Sequence, residues 1–251
     1  MRERIAGLVL AAGASARFGS NKLLARLDGR PLLQHVLDAV AAAGLVDVVV
    51  VLGDAADEIE RAIAWRAEVR VRNPDPGAGL SSSLRVGLAA LEALEPEATG
   101  RQARFTGALV LLGDQPRVRP AVIGRLVEES AGAREEERGR SRRRPTASAD
   151  LDEPGRSASE GRPIVIPRYA GGGGSNPVLL RRAAWSLTLN LAGDRGMGPL
   201  IATHPELVHE VPVAGDNPDV DTPSDLARLA RRAPSSSAPS SGAPSPSSGD
   251  A

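Results

Sequence analysis

The run Asp47-Val48-Val49-Val50-Val51-Leu52-Gly53 is the stretch that most narrows what this chain can become. Successive side chains of a strand point to opposite faces, so a uniformly β-branched run is apolar on both sides and suits the middle of a covered parallel sheet. Ile5 to Leu10 and the Ala-Leu-Val-Leu-Leu-Gly run within Phe105 to Gly113 read as buried strands too. Helical patterns separate them. Pro31 stands where a first turn accepts its fixed φ, and Leu32, Leu33, Val36, Leu37 and Val40 recur at helical spacing up to Gly44. Ile59, Ala62 and Ile63 mark another helix, Val69 and Val71 a short strand, and Pro120 opens a helix through Val122, Ile123, Leu126 and Val127. This alternation predicts an α/β fold with a mostly parallel sheet between two helical layers.

The first strand opens directly into Ala11-Ala12-Gly13-Ala14-Ser15-Ala16-Arg17-Phe18-Gly19-Ser20-Asn21-Lys22. Small residues let backbone N–H groups approach an anion, and Arg17 and Lys22 answer its charge, so the loop is suited to a polyphosphate. Better known phosphate loops do not fit. Five residues separate Gly13 from Gly19 and the lysine comes three later, which excludes G-x-x-x-x-G-K-[ST]. Ser15 and Phe18 stand where G-x-G-x-x-G needs its second and third glycines.

Other segments carry polar residues at strand or helix ends. Gly77-Ala78-Gly79-Leu80-Ser81-Ser82-Ser83-Leu84-Arg85 places hydroxyls before a helix patterned by Leu84, Leu88 and Leu91, where they read a base edge or ribose; an ordinary serine cap with a solvated Arg85 accounts for the same spacing. Asp114, in Gly113-Asp114-Gln115-Pro116, follows a central strand, where open α/β sheets bind ligands; a turn aspartate before proline is the alternative. Pro163 to Pro167 is a short strand, followed by the Gly171–Gly174 run, then Asn176-Pro177-Val178-Leu179. Val208 to Val213 alternates weakly, as an edge strand does. In Asp219-Val220-Asp221-Thr222-Pro223-Ser224-Asp225, Thr222 and Asp225 form a capping box with Pro223 at the first helical position, leaving Asp219 and Asp221 without a local role.

The pattern L-A-A-G-x-S-x-R-x-G-x-x-K, together with Gly-Leu-Ser-Ser-Ser-Leu-Arg, Gly-Asp-Gln-Pro, Asn-Pro-Val-Leu, Leu-Ala-Gly-Asp-Arg-Gly and Asp-Val-Asp-Thr-Pro, resembles the MobA-like NTP transferases, in particular the molybdenum cofactor cytidylyltransferase type. The resemblance spans residues 4–132 and 163–232. It implies a Rossmann-like α/β/α sandwich of the nucleotide-diphospho-sugar transferase type, transferring CMP from CTP to molybdopterin with release of pyrophosphate. It further implies Arg17, Lys22, Asp114 and Asp221 in catalysis, with Mg²⁺ on Asp114 and Asp221. Nucleotide binding would fall to Leu10, Ala11, Ala12, Gly13, Lys22, Gly79, Ser81, Ser82, Ser83 and Asp114. Gln115, Pro116, Asn176, Pro177 and Asp194 would bind the acceptor, with Arg195 a further candidate. Family members often carry His where this chain has Asn176. The first motif is shared with guanylyltransferases and isoprenoid cytidylyltransferases, so GTP or a sugar-phosphate acceptor is the rival, as is a non-catalytic carrier delivering the finished cofactor to an apo-molybdenum hydroxylase.

Composition sets the remaining bounds. Among 251 residues there is no cysteine, which removes disulfides, thiolate metal sites and cysteine nucleophiles. A formal net charge of zero argues for neither nucleic acid nor a membrane surface as partner. With neither a signal-peptide core nor a membrane-length apolar run, a cytoplasmic location is expected. From 133 to 162 charged, Ser, Gly and Pro residues dominate, including the basic run Arg138 to Arg144, and from 233 to 251 the chain is Ser, Pro, Ala and Gly. Both are expected to be unstructured, leaving 1–232 as a single domain.

Overall fold

The computed structural model describes residues 4–15, 17–95, 104–141 and 162–231, with backbone alone for 132–141. Nine strands and six α-helices are described in the order β1 (Ile5–Ala11), β2 (Arg26–Leu27), β3 (Arg30–Pro31), α1 (Leu32–Ala42), β4 (Val48–Leu52), α2 (Ala56–Ala62), β5 (Val69–Arg72), α3 (Leu80–Ala93), β6 (Gly107–Leu112), α4 (Pro120–Ser141), β7 (Ile164–Tyr169), β8 (Val178–Arg181), α5 (Gly198–Thr203), β9 (Val208–Val213) and α6 (Pro223–Arg231). Seven strands form one sheet in the order β5-β4-β1-β6-β8-β7-β9, while β2 and β3 pair apart from it. β1 pairs in parallel with both β4 and β6, and within the seven-stranded sheet β8 alone runs against its neighbours, while β2 and β3 pair antiparallel to each other.

The alternation of strand side chains builds two cores. Val9, Ala11, Val48, Val50 and Leu52 face Leu33, Val36, Leu37 and Val40 of α1, Ile59 of α2, and Ile123 and Leu126 of α4. Ala6, Leu8, Leu10, Val49 and Val51 face the other way, against Leu84, Leu88 and Leu91 of α3, Trp185 and Leu200. The doubly apolar valine run is therefore used on both faces, and each fully buried side chain of this size stabilises the fold by about 1.5–3 kcal/mol. This is the expected three-layer sandwich.

The chain leaves β1 for β4 and β5 on one side, then returns to β6 on the other. The crevice beyond the carboxyl ends of β1 and β6 is thus the topological switch point, the place where open α/β sheets take ligands. A third, smaller cluster joins this end to the last helix: Leu27, Leu32, Val220 and Leu229 are buried together, with Phe18, Ala25 and Leu226 against them.

Three features differ from the sequence expectation or lie outside it. α4 runs to Ser141, nine residues into the segment expected to lack structure from 133; Ala, Arg and Glu there are good helix formers. Residues 142–161 and 232–251, with the rest of that segment and the Ser/Pro/Ala tail, lie outside the described residues, as do the side chains of the arginine run. The segment from Val178 to Arg181 is a strand pairing antiparallel with β6 and β7, a direction available because β7 and β8 are joined by a loop with no crossover helix. Among the described residues no helix is long and apolar enough to cross a membrane.

Two glycines inside helices test how tightly the layers meet. A Cβ on Gly87 of α3 would overlap Leu8 Cδ1 and stand 3.0 Å from Val51 Cγ2, whereas one on Gly124 of α4 would meet nothing within 4 Å. Gly124→Ala should stabilise by about 0.5–1 kcal/mol through helix propensity, and Gly87→Ala should destabilise by about 1–3 kcal/mol through overpacking, as read by urea unfolding. Equal signs for the two would contradict this packing.

Candidate active site

The loop after β1 is shaped by its own polar residues. Ser15 adopts φ 52°, its carbonyl accepts from Phe18 N–H at 2.9 Å, and its Oγ accepts from Lys22 N–H at 3.1 Å. Asn21 Oδ1 then caps the short 3-10 helix Lys22–Leu24 by accepting from Leu23 N–H at 3.2 Å. The result is that Lys22 turns back into the crevice. Beside it, β6 ends where Gly113 N–H donates to the Leu10 carbonyl, which puts Asp114 level with the start of the loop.

Asp221 reaches this point through its neighbours. Val220, 1 % exposed, is buried in the small cluster, and its N–H donates to the Asp114 carbonyl at 3.1 Å. On the helix side, Asp225 Oδ2 accepts from Thr222 N–H at 2.9 Å and Asp225 N–H donates to Thr222 Oγ1 at 3.2 Å, the expected capping box. Its hydrogen bond to Thr222 holds the Asp225 carboxyl below the usual range. Asp221 is therefore fixed from both sides.

Lys22 Nζ lies 2.5 Å from Asp114 Oδ2 and 2.8 Å from Asp221 Oδ1, and Arg17 Nη2 lies 3.2 Å from Asp221 Oδ2. The Lys22 side chain is 13 % exposed, while Arg17, at 74 %, sits outside the cluster. Burial pulls the Lys22 pKa down, but Asp114 and then Asp221 outweigh it and leave it raised. The hydrogen bond from Lys22 in turn holds Asp221 below the ordinary carboxylate range. Asp219, which the sequence left without a role, stands in the same group; burial, then the like charges of Asp114 and Asp221, push its carboxyl up, against the hydrogen bond from Gln115.

Arg17, Lys22, Asp114 and Asp221 line a crevice of about 440 Å³. Leu10, Ala11, Ala12, Gly13, Gly79, Ser83 and Asp114 also line it, together with Pro76, Gly77 and Leu80, which the sequence showed only as a break before α3. The apolar, small-residue end suits a flat base, and the cationic end suits phosphates. Ser81 and Ser82 correct the expectation of a row of serines. Consecutive helical residues point about 100° apart; all three serines are buried, but of them Ser83 alone lines the crevice, and Ser82 Oγ bonds the Asp75 and Gly79 carbonyls at 2.9 Å each. No serine caps α3, whose N-cap is Gly79, and Arg85 donates to the Leu191 carbonyl at 2.9 Å where a solvated side chain was the alternative.

The expected acceptor residues divide. Gln115 Nε2 donates to Asp219 Oδ1 at 2.7 Å, Asn217 Nδ2 donates to Gln115 Oε1 at 3.0 Å and to the Asn176 carbonyl at 3.4 Å, and Tyr169 donates to that carbonyl at 3.0 Å. This chain of amides makes a wall beside Asp219, with Pro116 and Pro177 buried behind it. Asn217, 2 % exposed, was missed for want of any local signal, and its Oδ1 has no partner among the described residues. Asp194 lines the crevice beside Gly79.

The carboxylate pair also fits a divalent ion. Its oxygens are the hard donors that Mg²⁺ and Mn²⁺ prefer, and Lys22 Nζ between them shows that the point already accepts a cation. Among the described residues no cluster of three or more His, Cys, Asp or Glu could hold a metal. The remaining coordination would fall to water and phosphate.

Gly79 has φ 90°, and a Cβ on it would stand 2.5 Å from Gly193 C and 2.7 Å from Asp194 Oδ1. Gly79→Ala must displace that turn or strain its own backbone, at about 1–3 kcal/mol. Nucleotide affinity should fall about tenfold or more, as read by calorimetric titration; unchanged affinity would place the nucleotide elsewhere.

Residues 7–209 match the MobA-like NTP transferase domain. The chain is 36% identical over 135 residues to the bifunctional protein GlmU of Sphingopyxis alaskensis, an alignment covering 53% of this chain and 27% of that one, so it spans about a quarter of that relative's length. Its structure is similar to that of Rv0371c from Mycobacterium tuberculosis H37Rv, with a TM-score of 0.68, 29% identity, and coverage of 92% of this chain and 100% of that chain. A manganese complex of Rv0371c is similar at a TM-score of 0.65 and 29% identity, over 92% of this chain and 100% of that one. The chain belongs to the MobA-like NTP transferase family.

Proposed function

We propose that this nucleotidyltransferase moves CMP from CTP to molybdopterin and releases pyrophosphate. The observation that carries the reading is the convergence of Asp114 and Asp221 on Lys22, beside Arg17, at the phosphate end of a crevice sized for a nucleotide. The choice of CTP and molybdopterin rests on the motif resemblance. A phosphate oxygen of the acceptor attacks the α-phosphorus in line; the new P–O bond forms as the bond to the β-phosphate oxygen breaks, and pyrophosphate leaves with the electron pair. Such a transfer needs no nucleophile from the protein. The loop after β1 binds the triphosphate, while Arg17 and Lys22 neutralise charge developing on the leaving group. The amide wall of Gln115, Asn217 and Asn176 orients the acceptor from the other side. Asp114 and Asp221 would hold Mg²⁺, which when bound supplies charge neutralisation at the phosphates; manganese in the related structure supports a divalent ion. The product would pass to an apo-molybdenum hydroxylase, in the cytoplasm where its substrates are made.

Retention of the carboxylate pair beside two cations favours an enzyme over a carrier, which has no use for a metal site. Lys22→Ala should lower kcat by about 10²–10³-fold while leaving the circular dichroism spectrum unchanged. Retained turnover would remove Lys22 from the chemistry. The deciding assay follows pyrophosphate release with Mg²⁺, molybdopterin and each NTP in turn. Release selective for CTP supports the assignment; release with GTP alone, or only with a sugar phosphate, overturns it.

A further inference from the structure

Lys22 Nζ occupies the point between the two carboxylates. Lys22 Nζ is within 2.8 Å of an oxygen from each, and its side chain is only 13 % exposed. Metal–oxygen bonds of Mg²⁺ are about 2.0–2.1 Å long. A divalent ion using both carboxylates therefore needs the space, and the oxygen lone pairs, that the ammonium holds. We infer that Lys22 plugs the metal site of the nucleotide-free protein, so that the divalent ion enters together with the triphosphate that draws the ammonium away.

The local structure permits that exchange. The backbone of Lys22 is fixed by the bond from its N–H to Ser15 Oγ and by its place in the capped turn, whereas its four-carbon stem can re-aim the ammonium without moving the loop. Phosphates bound in the loop after β1 offer Nζ a new set of anionic partners as the carboxylates turn to the metal. The swap puts a divalent ion where the monovalent ammonium stood between Asp114 and Asp221, and the incoming phosphates answer the added positive charge. Arg17 does not share this position: it meets the outer oxygen of Asp221 at 3.2 Å and is 74 % exposed. By linkage, whatever affinity Lys22 denies the lone metal is returned as cooperativity between metal and triphosphate. The inference rests on the triphosphate reading for its purpose, but the plug itself can be tested without nucleotide.

The test is Mn²⁺ binding to the nucleotide-free protein, read by the electron paramagnetic resonance signal of the free ion. Lys22→Met should bind Mn²⁺ at least tenfold more tightly than the unaltered protein, and Lys22→Gln should behave alike. Arg17→Met, which removes the same charge from outside the pair, should change affinity by less than threefold. Adding Asp114→Asn to Lys22→Met should abolish the gain, locating the ion. An unchanged or weaker affinity in both Lys22 variants overturns the plug. So does a gain in Arg17→Met equal to that in Lys22→Met, because the effect would then be general electrostatics. If the unaltered protein binds no NTP in a separate calorimetric titration, the functional reading fails while the Mn²⁺ result still decides where Lys22 sits.

Discussion

One backbone hydrogen bond holds the chemistry of this protein together: the N–H of Val220 donating to the carbonyl of Asp114 at 3.1 Å. Asp114 ends a central strand, and Asp221 belongs to a segment that would otherwise trail towards the last helix. Burial of Val220 with Leu27, Leu32 and Leu229 makes the contact persist, because separating the segments would expose that cluster to water. The hydrophobic effect thus sets a polar geometry. Gln115 and Asp219, 104 positions apart, are joined by the same apposition.

The electrostatics of the site follow from that clamp. Asp114, Asp219 and Asp221 stand together with Lys22 inside the group and Arg17 at its edge. Burial first, and then the like charges of Asp114 and Asp221, push the Asp219 carboxyl up. Such a cluster is poorly suited to a bare polyphosphate and well suited to one arriving with a divalent cation. On the proposed reading the small apolar residues of the crevice take the base and its charged residues the phosphates, with the amides through Asn217 on the acceptor side.

Much of this was legible in the residues. β1, β4 and β6 announced themselves because strands covered on both faces have no polar alternation to confuse with a helix. The loop from Gly13 to Lys22 stood out as a candidate phosphate binder because the residues that suggest it are local. What failed was whatever depends on helix phase or on distant partners. Nothing in Ser81-Ser82-Ser83 says which hydroxyl faces the crevice until the helix start at Leu80 is fixed. The reversed direction of β8 was hidden because a four-residue apolar run looks the same either way. Asp219 and Asn217 carried no signal because their significance lies in Gln115, which sequence distance conceals. Asp194 was placed with the acceptor by resemblance; in the fold it lines the crevice beside Gly79, away from Gln115 and Asn176 in sequence.

The central claim is that the paired carboxylates and the early cationic loop form one phosphate-and-metal centre. The most direct measurement is anomalous diffraction from crystals grown with Mn²⁺ and a non-hydrolysable CTP analogue. The account predicts a manganese peak coordinated by both Asp114 and Asp221, with the triphosphate against Lys22 and Arg17. A manganese ion bound away from that pair, or a triphosphate lying outside the loop after β1, would contradict it.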